Sequence, residues 1–160
     1  MKKTIIHVIY HLGRGGAETM LVAILRELTE YRNIVVTLYD ENHFEDELIC
    51  DKIICLKAGH TLSYPITAIK LNKVIKKYNP DLVHTHLFWP TIIARMATPK
   101  NIPLLTTIHS FIATSLEYKH RHVKWIDKMT YRLHKNIIIA VARGALFEYF
   151  SFLNLKPFKA

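Results

Sequence analysis

Strand-like and helix-like stretches alternate from one end of this 160-residue chain to the other, and no other feature narrows its fold as much. Thr4–Tyr10 is rich in β-branched residues. Ala17–Glu30 follows, with Met20, Leu21, Ile24, Leu25 and Leu28 at helical spacing and Glu18 in the first turn, where the helix dipole favours an acid. Ile34–Tyr39 reads as a second strand and Ile53–Leu56 as a short third. Ser63-Tyr64-Pro65 opens a helix that carries Ile66, Ile69, Val74 and Ile75 as its apolar face, and Asn79-Pro80 ends it. Leu82–His86, Pro103–Ile108 and Ile137–Ala142 supply three more strands. Helices at Trp89–Ala97 and His120–His134 separate them, the second with Ile126, Met129 and Leu133 on one face, and Gly144–Leu153 begins a last helix. Strands alternating with helices imply βαβ units and a mostly parallel sheet. Right-handed crossovers then favour a doubly wound, Rossmann-like α/β sheet in the order 3-2-1-4-5-6, with helices on both faces.

The bulk properties exclude several classes. Half of the residues are apolar and five are glycine, so the chain is neither disordered nor fibrous. Its apolar runs are strand-sized, well short of the roughly 18 residues of a membrane span. The amino-terminal run is too short for a signal peptide and contains His7, so the chain reads as a cytoplasmic protein that begins with a strand. Cys50 and Cys55 match neither a redox nor a zinc spacing and read as free thiols. The formal charge of +9 calls for an anionic partner, whether nucleic acid, a membrane surface or a phosphorylated ligand, or else marks a solvated basic face. Lys70, Lys73, Lys76 and Lys77 cluster on one helix, and Lys119, Arg121, Lys124 and Lys128 on another, with Trp125 among them. No nucleic-acid motif accompanies them, which disfavours that partner. An anionic membrane face suits them better, with Trp125 either at the lipid interface or packed in the core.

In a sheet of this order, ligands bind beyond the carboxyl ends of the strands, where the order reverses between strands one and four. Strand one runs into His11-Leu12-Gly13-Arg14-Gly15-Gly16-Ala17-Glu18. Gly15 and Gly16 carry no Cβ, so a ligand can approach their backbone, and the free N–H groups of the following helix favour a negative group. A tight turn with positive φ is the competing explanation for the pair. Strand four ends in His84-Thr85-His86, two histidines on one face, and strand five in Thr107-Ile108-His109. No third ligand is obvious beside His84 and His86, so a metal is not expected there. His109 ends a strand at the start of a loop, where an imidazole can hydrogen-bond hydroxyls or move protons near neutral pH.

Gly15-Gly16-Ala17-Glu18, Pro80-Asp81-Leu82-Val83-His84-Thr85-His86 and Thr106-Thr107-Ile108-His109 occur in an order and at separations that resemble the amino-terminal domain of family 4 retaining glycosyltransferases. That resemblance implies the GT-B fold, in which two Rossmann-like domains face each other across a cleft, one mainly holding the acceptor and the other a nucleotide-sugar donor. It implies Gly15 and Gly16 near the donor diphosphate and His109, the expected catalytic residue, near the transferred sugar. His86 and Thr107 join the glycines as expected substrate-binding residues. No cofactor is implied beyond the nucleotide-sugar co-substrate, and no essential metal. The acceptor is expected to be a glycan or a lipid-linked sugar in surface glycan, polysaccharide or glycolipid synthesis, placing the enzyme in the cytoplasm or peripherally on the inner face of the plasma membrane. Residues 1–160 then form one Rossmann-like domain without the donor-binding domain and its Glu-x7-Glu motif, read as a fragment or a naturally truncated product that does not transfer sugar alone.

Two other classes compete. Gly13-Arg14-Gly15-Gly16-Ala17-Glu18 is close to the dinucleotide fingerprint Gly-x-Gly-x-x-Gly, with Glu18 in place of the third glycine and Asp40 where a ribose-binding acid would stand. A basic nucleic-acid-binding module rests on charge alone.

Overall fold

A computed structural model of the chain describes residues 2–111, 115, 117–134 and 136–158. Six strands form one parallel sheet: β1 (Thr4–Ile9), β2 (Arg32–Thr37), β3 (Lys52–Cys55), β4 (Leu82–His86), β5 (Leu104–Ile108) and β6 (Ile137–Ala140). Their order is β3-β2-β1-β4-β5-β6, the expected doubly wound arrangement. The helices are α1 (Gly16–Glu27), α2 (Tyr64–Tyr78), α3 (Phe88–Ala97), α4 (Arg121–Leu133) and α5 (Arg143–Leu153). Every residue of β1 is buried, as suits a central strand covered on both faces, and His7 is its one ionisable side chain.

The pleat divides the core. Ile6, Val8, Ile34, Val36, Val83 and Leu104 pack on one face against Ala68, Leu71 and Ile75 of α2 and Ile93, Ala94 and Ala97 of α3. Ile9 and Val35 point to the other face and meet Leu21, Val22 and Leu25 of α1. Each such aliphatic side chain contributes about 1.5–3 kcal/mol when fully buried. Asn79, in the left-handed conformation at φ 41°, ends α2 ahead of Pro80. Strands β3 and β6 are the sheet's edges, and Ile139 and Val141 at the β6 end are exposed.

Two helix faces differ from the pattern in the sequence. On α2 the inward residues are Thr67, Ala68, Leu71 and Ile75, while Ile66 and Ile69 are exposed. On α4 the inward residues are Val123, Asp127, Thr130 and Tyr131, and Met129 and Leu133 face outward. The reason for the second reversal is Arg95, which α3 sends into the interior and which requires polar partners there. Trp125 is 64 % exposed, which removes the core-packed alternative. Among the described residues no helix is long and apolar enough to cross a membrane, and Cys50 and Cys55 are free.

Candidate functional site

Beyond β1 the Gly-rich loop is pinned to the segment after β2: Leu12 N–H donates to the Glu41 carbonyl at 2.8 Å, and the Leu12 carbonyl accepts from His43 N–H at 2.8 Å. No described glycine has positive φ, so a tight turn does not explain Gly15-Gly16. Gly15 is the N-cap of α1 at φ −120°, and a Cβ there would lie 2.4 Å from Oε2 of Glu18. The Glu18 carboxylate folds back over the start of its own helix, nearly buried, with Oε1 3.8 Å from His11 Nδ1. A carboxylate at that dipole end supplies the negative charge expected there of a ligand. The two glycines therefore part. Gly15 makes room for Glu18, whereas a Cβ on Gly16 would meet nothing within 4 Å, so that backbone is open to approach.

The parallel pairing of β1 with β4 places His7 opposite His84, and that of β4 with β5 places His86 opposite Thr107. Alternation puts His7, His84, His86 and Thr107 on one face of the sheet. His84 Nε2 and Thr107 Oγ1 are 2.8 Å apart, and His86 Nδ1 is 3.3 Å from His109 Nε2. His7 Nε2–H donates to Asn33 Oδ1 at 3.2 Å. Burial drives all these imidazoles toward the neutral form. It brings His7 down to about 4, with Asn33 opposing it, and His84 down to about 3, helped by proximity to His7 and His109. His86 falls well below the ordinary histidine value through burial first and then its histidine neighbours, and His109 falls through burial. His7 Nδ1 and His86 Nε2 are buried without a hydrogen-bond partner, at a cost of about 1–3 kcal/mol each.

Of the expected site residues, His109 alone among the histidine–threonine set stands half-open at the rim. His86 is fully enclosed, so it reaches the rim through His109 instead of facing a ligand directly. Thr107 is buried and committed to His84. Beside His109 lies a cavity of about 80 Å³, walled by Leu87, Phe88 and Thr91 at the start of α3, by Thr107 and Ser110, and by Tyr118, with Asp127 and Tyr149 closing it. A full ligand pocket is typically about 300–1,000 Å³, so this cavity is smaller than one. Leu87, directly after His86, holds φ 69° and ψ 170°, a strained conformation for a non-glycine residue and one that concentrates at functional sites.

Behind the cavity runs a buried polar chain that the sequence did not announce. Arg95 donates from Nε to Asn136 Oδ1 at 3.0 Å, from Nη1 to Asp127 and from Nη2 to the Tyr149 hydroxyl at 3.0 Å. Asp127 also accepts from the hydroxyls of Tyr149, at 2.8 Å, and Tyr118. Asn136 continues to Thr106 Oγ1 at 2.6 Å, and Thr106 to Thr85 at 2.8 Å. These bonds fix the ends of β4 and β5, and so His109, against α3, α4 and α5. His7 was equally unmarked, although strand order 3-2-1-4 and a shared parity were enough to seat it beside His84.

Solved structures with the same fold include Anabaena HepE in complex with UDP (TM-score 0.74, 16 % identity, 98 % of this chain and 42 % of that one). They also include UDP-N-acetylglucosamine 2-epimerase from Rickettsia bellii (TM-score 0.69, 14 % identity, 98 % and 43 %) and a glycosyltransferase from Rickettsia africae (TM-score 0.63, 20 % identity, 97 % and 41 %). The chain thus spans about two fifths of the length of each. No curated protein matches the sequence. The sequence profile of Glycosyltransferase Family 4 matches residues 14–149, from the Gly-rich loop to Tyr149, and the chain belongs to that family.

Proposed function

We propose that this chain is the acceptor-side half of a retaining, nucleotide-sugar-dependent glycosyltransferase acting in surface polysaccharide, glycan or glycolipid synthesis, and that it is inactive alone. The observation that carries the reading is the rim, where the approachable backbone of Gly16 follows β1 and the half-buried His109 follows β5, next to the reversal point between β1 and β4. Gly15 and Gly16 lie toward the donor diphosphate, with Gly16 offering the approachable backbone. His109, held by His86 through one ring nitrogen, keeps the other for a hydroxyl of the transferred sugar. Beyond the nucleotide-sugar no cofactor is needed, and transfer needs no metal. Catalysis of this kind depends on holding donor and acceptor together, so one wall of the cleft is not enough.

A transfer assay with a panel of nucleotide-sugars, UDP-sugars first, tests this on residues 1–160 alone and on the same residues joined in one polypeptide to a family 4 donor-binding half. Transfer by the joined protein and none by the isolated chain is expected. Steady transfer by residues 1–160 alone removes the claim of inactivity. Epimerisation of UDP-N-acetylglucosamine without any acceptor, in place of transfer, removes the glycosyltransferase assignment.

The outward faces of α2 and α4 suit a lipid-linked acceptor at the inner face of a plasma membrane. Leu62 is 93 % exposed ahead of the exposed Ile66 and Ile69, and Lys73 and Lys77 continue along the helix, while Lys70 is tied to the carbonyls of Leu56 and Lys57. Trp125 lies among Lys119, Arg121, Lys124 and Lys128. Each lysine near an anionic surface contributes about 1 kcal/mol. Co-sedimentation with phosphatidylglycerol vesicles that is lost at high salt is expected, and equal partitioning onto neutral vesicles refutes the docking.

A further inference from the structure

We propose that His7, His84 and His86 form a binding site for one divalent transition-metal ion, such as Zn²⁺, that clips the two central strands of the sheet together. One ring nitrogen from each of the three lies within 4.8 Å of the others, and all three residues are buried. Their hydrogen bonds explain why lone pairs are left over. Asn33 Oδ1 can only accept, because the Asn33 amide donates to the carbonyls of Leu28 and Tyr31, so His7 carries its proton on Nε2 and Nδ1 is bare. His84 spends Nε2 on Thr107 and keeps Nδ1. His86 spends Nδ1 on His109, and its Nε2 has no partner. With Thr107 Oγ1 and His109 Nε2 accepting from His84 and His86, as Asn33 Oδ1 accepts from His7, each imidazole has one nitrogen fixed by an outer partner and a lone pair on the other for an ion, the arrangement by which proteins orient metal-binding histidines.

The chemistry of the set suits the ion. Neutral imidazole is the ligating form of histidine. Three histidines with a further position left for water or another donor is a recurrent zinc set. Zn–N bonds of about 2.0–2.1 Å put the nitrogens of a tetrahedral site about 3.4 Å apart, so nitrogens within 4.8 Å of one another draw in further on binding. The rings already crowd one another, with His84 and His86 centroids 4.2 Å apart and His7 and His84 5.4 Å apart. A groove of about 490 Å³ runs between α1 and the sheet, with His7 and His84 in its wall beside Ile24, Leu28 and Leu105. The ion lies behind the rim, so the proposal holds whether or not the chain takes part in sugar transfer.

Co²⁺ and Zn²⁺ titrations of the EDTA-treated 160-residue chain test the site. The variant His120→Asn/His122→Asn serves as background, because those two stacked, exposed histidines could bind an ion on the surface. The expected result is one Co²⁺ per chain with the visible bands of low-coordinate cobalt, displaced by Zn²⁺ and unchanged in the background variant. His84→Asn should weaken binding about tenfold or more. Should that variant not fold, imidazole ¹⁵N spectra of the unaltered chain decide the matter. Zn²⁺ is expected to shift the resonances of His7, His84 and His86 together. Binding that vanishes with His120 and His122, or zinc shifts confined to exposed histidines, overturns the proposal.

Discussion

Replacing Arg95 by Met removes a guanidinium from a place that water does not reach, and the structure sets the size of the loss. Met keeps an unbranched apolar stem, so the packing of α3 changes little. Asp127 loses its cationic partner, and Asn136 Oδ1 and the Tyr149 hydroxyl each lose a donor. Breaking a buried ion pair from one side costs about 3–5 kcal/mol, out of the roughly 5–15 kcal/mol that holds a domain together. Each kcal/mol moves the midpoint of a domain this size by about 2–4 °C, so Tm should drop by about 6–20 °C in calorimetry. Removing the partner as well should restore part of the loss, because an apolar replacement for a buried pair is close to neutral. Arg95→Met/Asp127→Leu is therefore expected to melt above Arg95→Met and below the natural chain, the shortfall coming from Asn136, Tyr118 and Tyr149. A single variant melting within about 2 °C of the natural chain, or a double variant less stable than the single one, refutes this account of the interior.

At the rim, His109→Ala in a protein that joins this domain to a donor half should lower kcat by about 10²-fold or more, with Tm falling by about 2–12 °C because the buried His86 loses its partner; unchanged turnover would show that the imidazole is misassigned. The two glycines should separate in urea denaturation: Gly15→Ala lowers the midpoint slightly, because alanine is a poorer N-cap than glycine while the flexible end of Glu18 can swing aside, whereas Gly16→Ala, inside the first turn with open space around it, raises it slightly. Gly16→Val should then leave the fold intact and depress activity by closing the backbone to the ligand. The buried histidines make stability fall in acid. An unfolded imidazole takes up a proton below about 6.5, whereas folded His7 does so only near 4 and folded His84 near 3, so the unfolded state binds more protons in that window. With EDTA present, the urea midpoint should hold above about pH 6.5 and decline steadily toward pH 4; a midpoint equal at pH 7.5 and pH 5 would contradict neutral burial.

The strand order was legible because period and punctuation agreed: β-branched runs, Asn79-Pro80 and right-handed crossovers left one arrangement standing. His109 was legible as a strand end. Helix faces were less so. The apolar stripe Ile126–Met129–Leu133 looks like a core seam, yet Asp127 and Thr130 occupy the interior because Arg95 arrives from a helix about thirty residues earlier in the chain. A pattern within one helix carries no information about a charge delivered by another. The surroundings of Gly15 were hidden for a similar reason, since what fills the space beside it is the side chain of Glu18, three residues on. His7 was visible only once register and parity were combined across two strands.

The position of β1 also governs how this chain comes off the ribosome. The first strand to be made is the middle of the sheet, and its partner β4 is Leu82–His86. At about 5–20 residues per second, some 4–15 s of synthesis separate the two. Through that interval only β2 can pair with β1, and the opposite edge of a six-residue strand, apolar but for Thr4 and His7, waits open inside a nascent chain. Such an edge recruits other strands. Yield of folded chain should therefore respond to whatever shortens or shields that wait, including the speed of translation between codons 10 and 86 and the supply of chaperones that hold nascent strands apart.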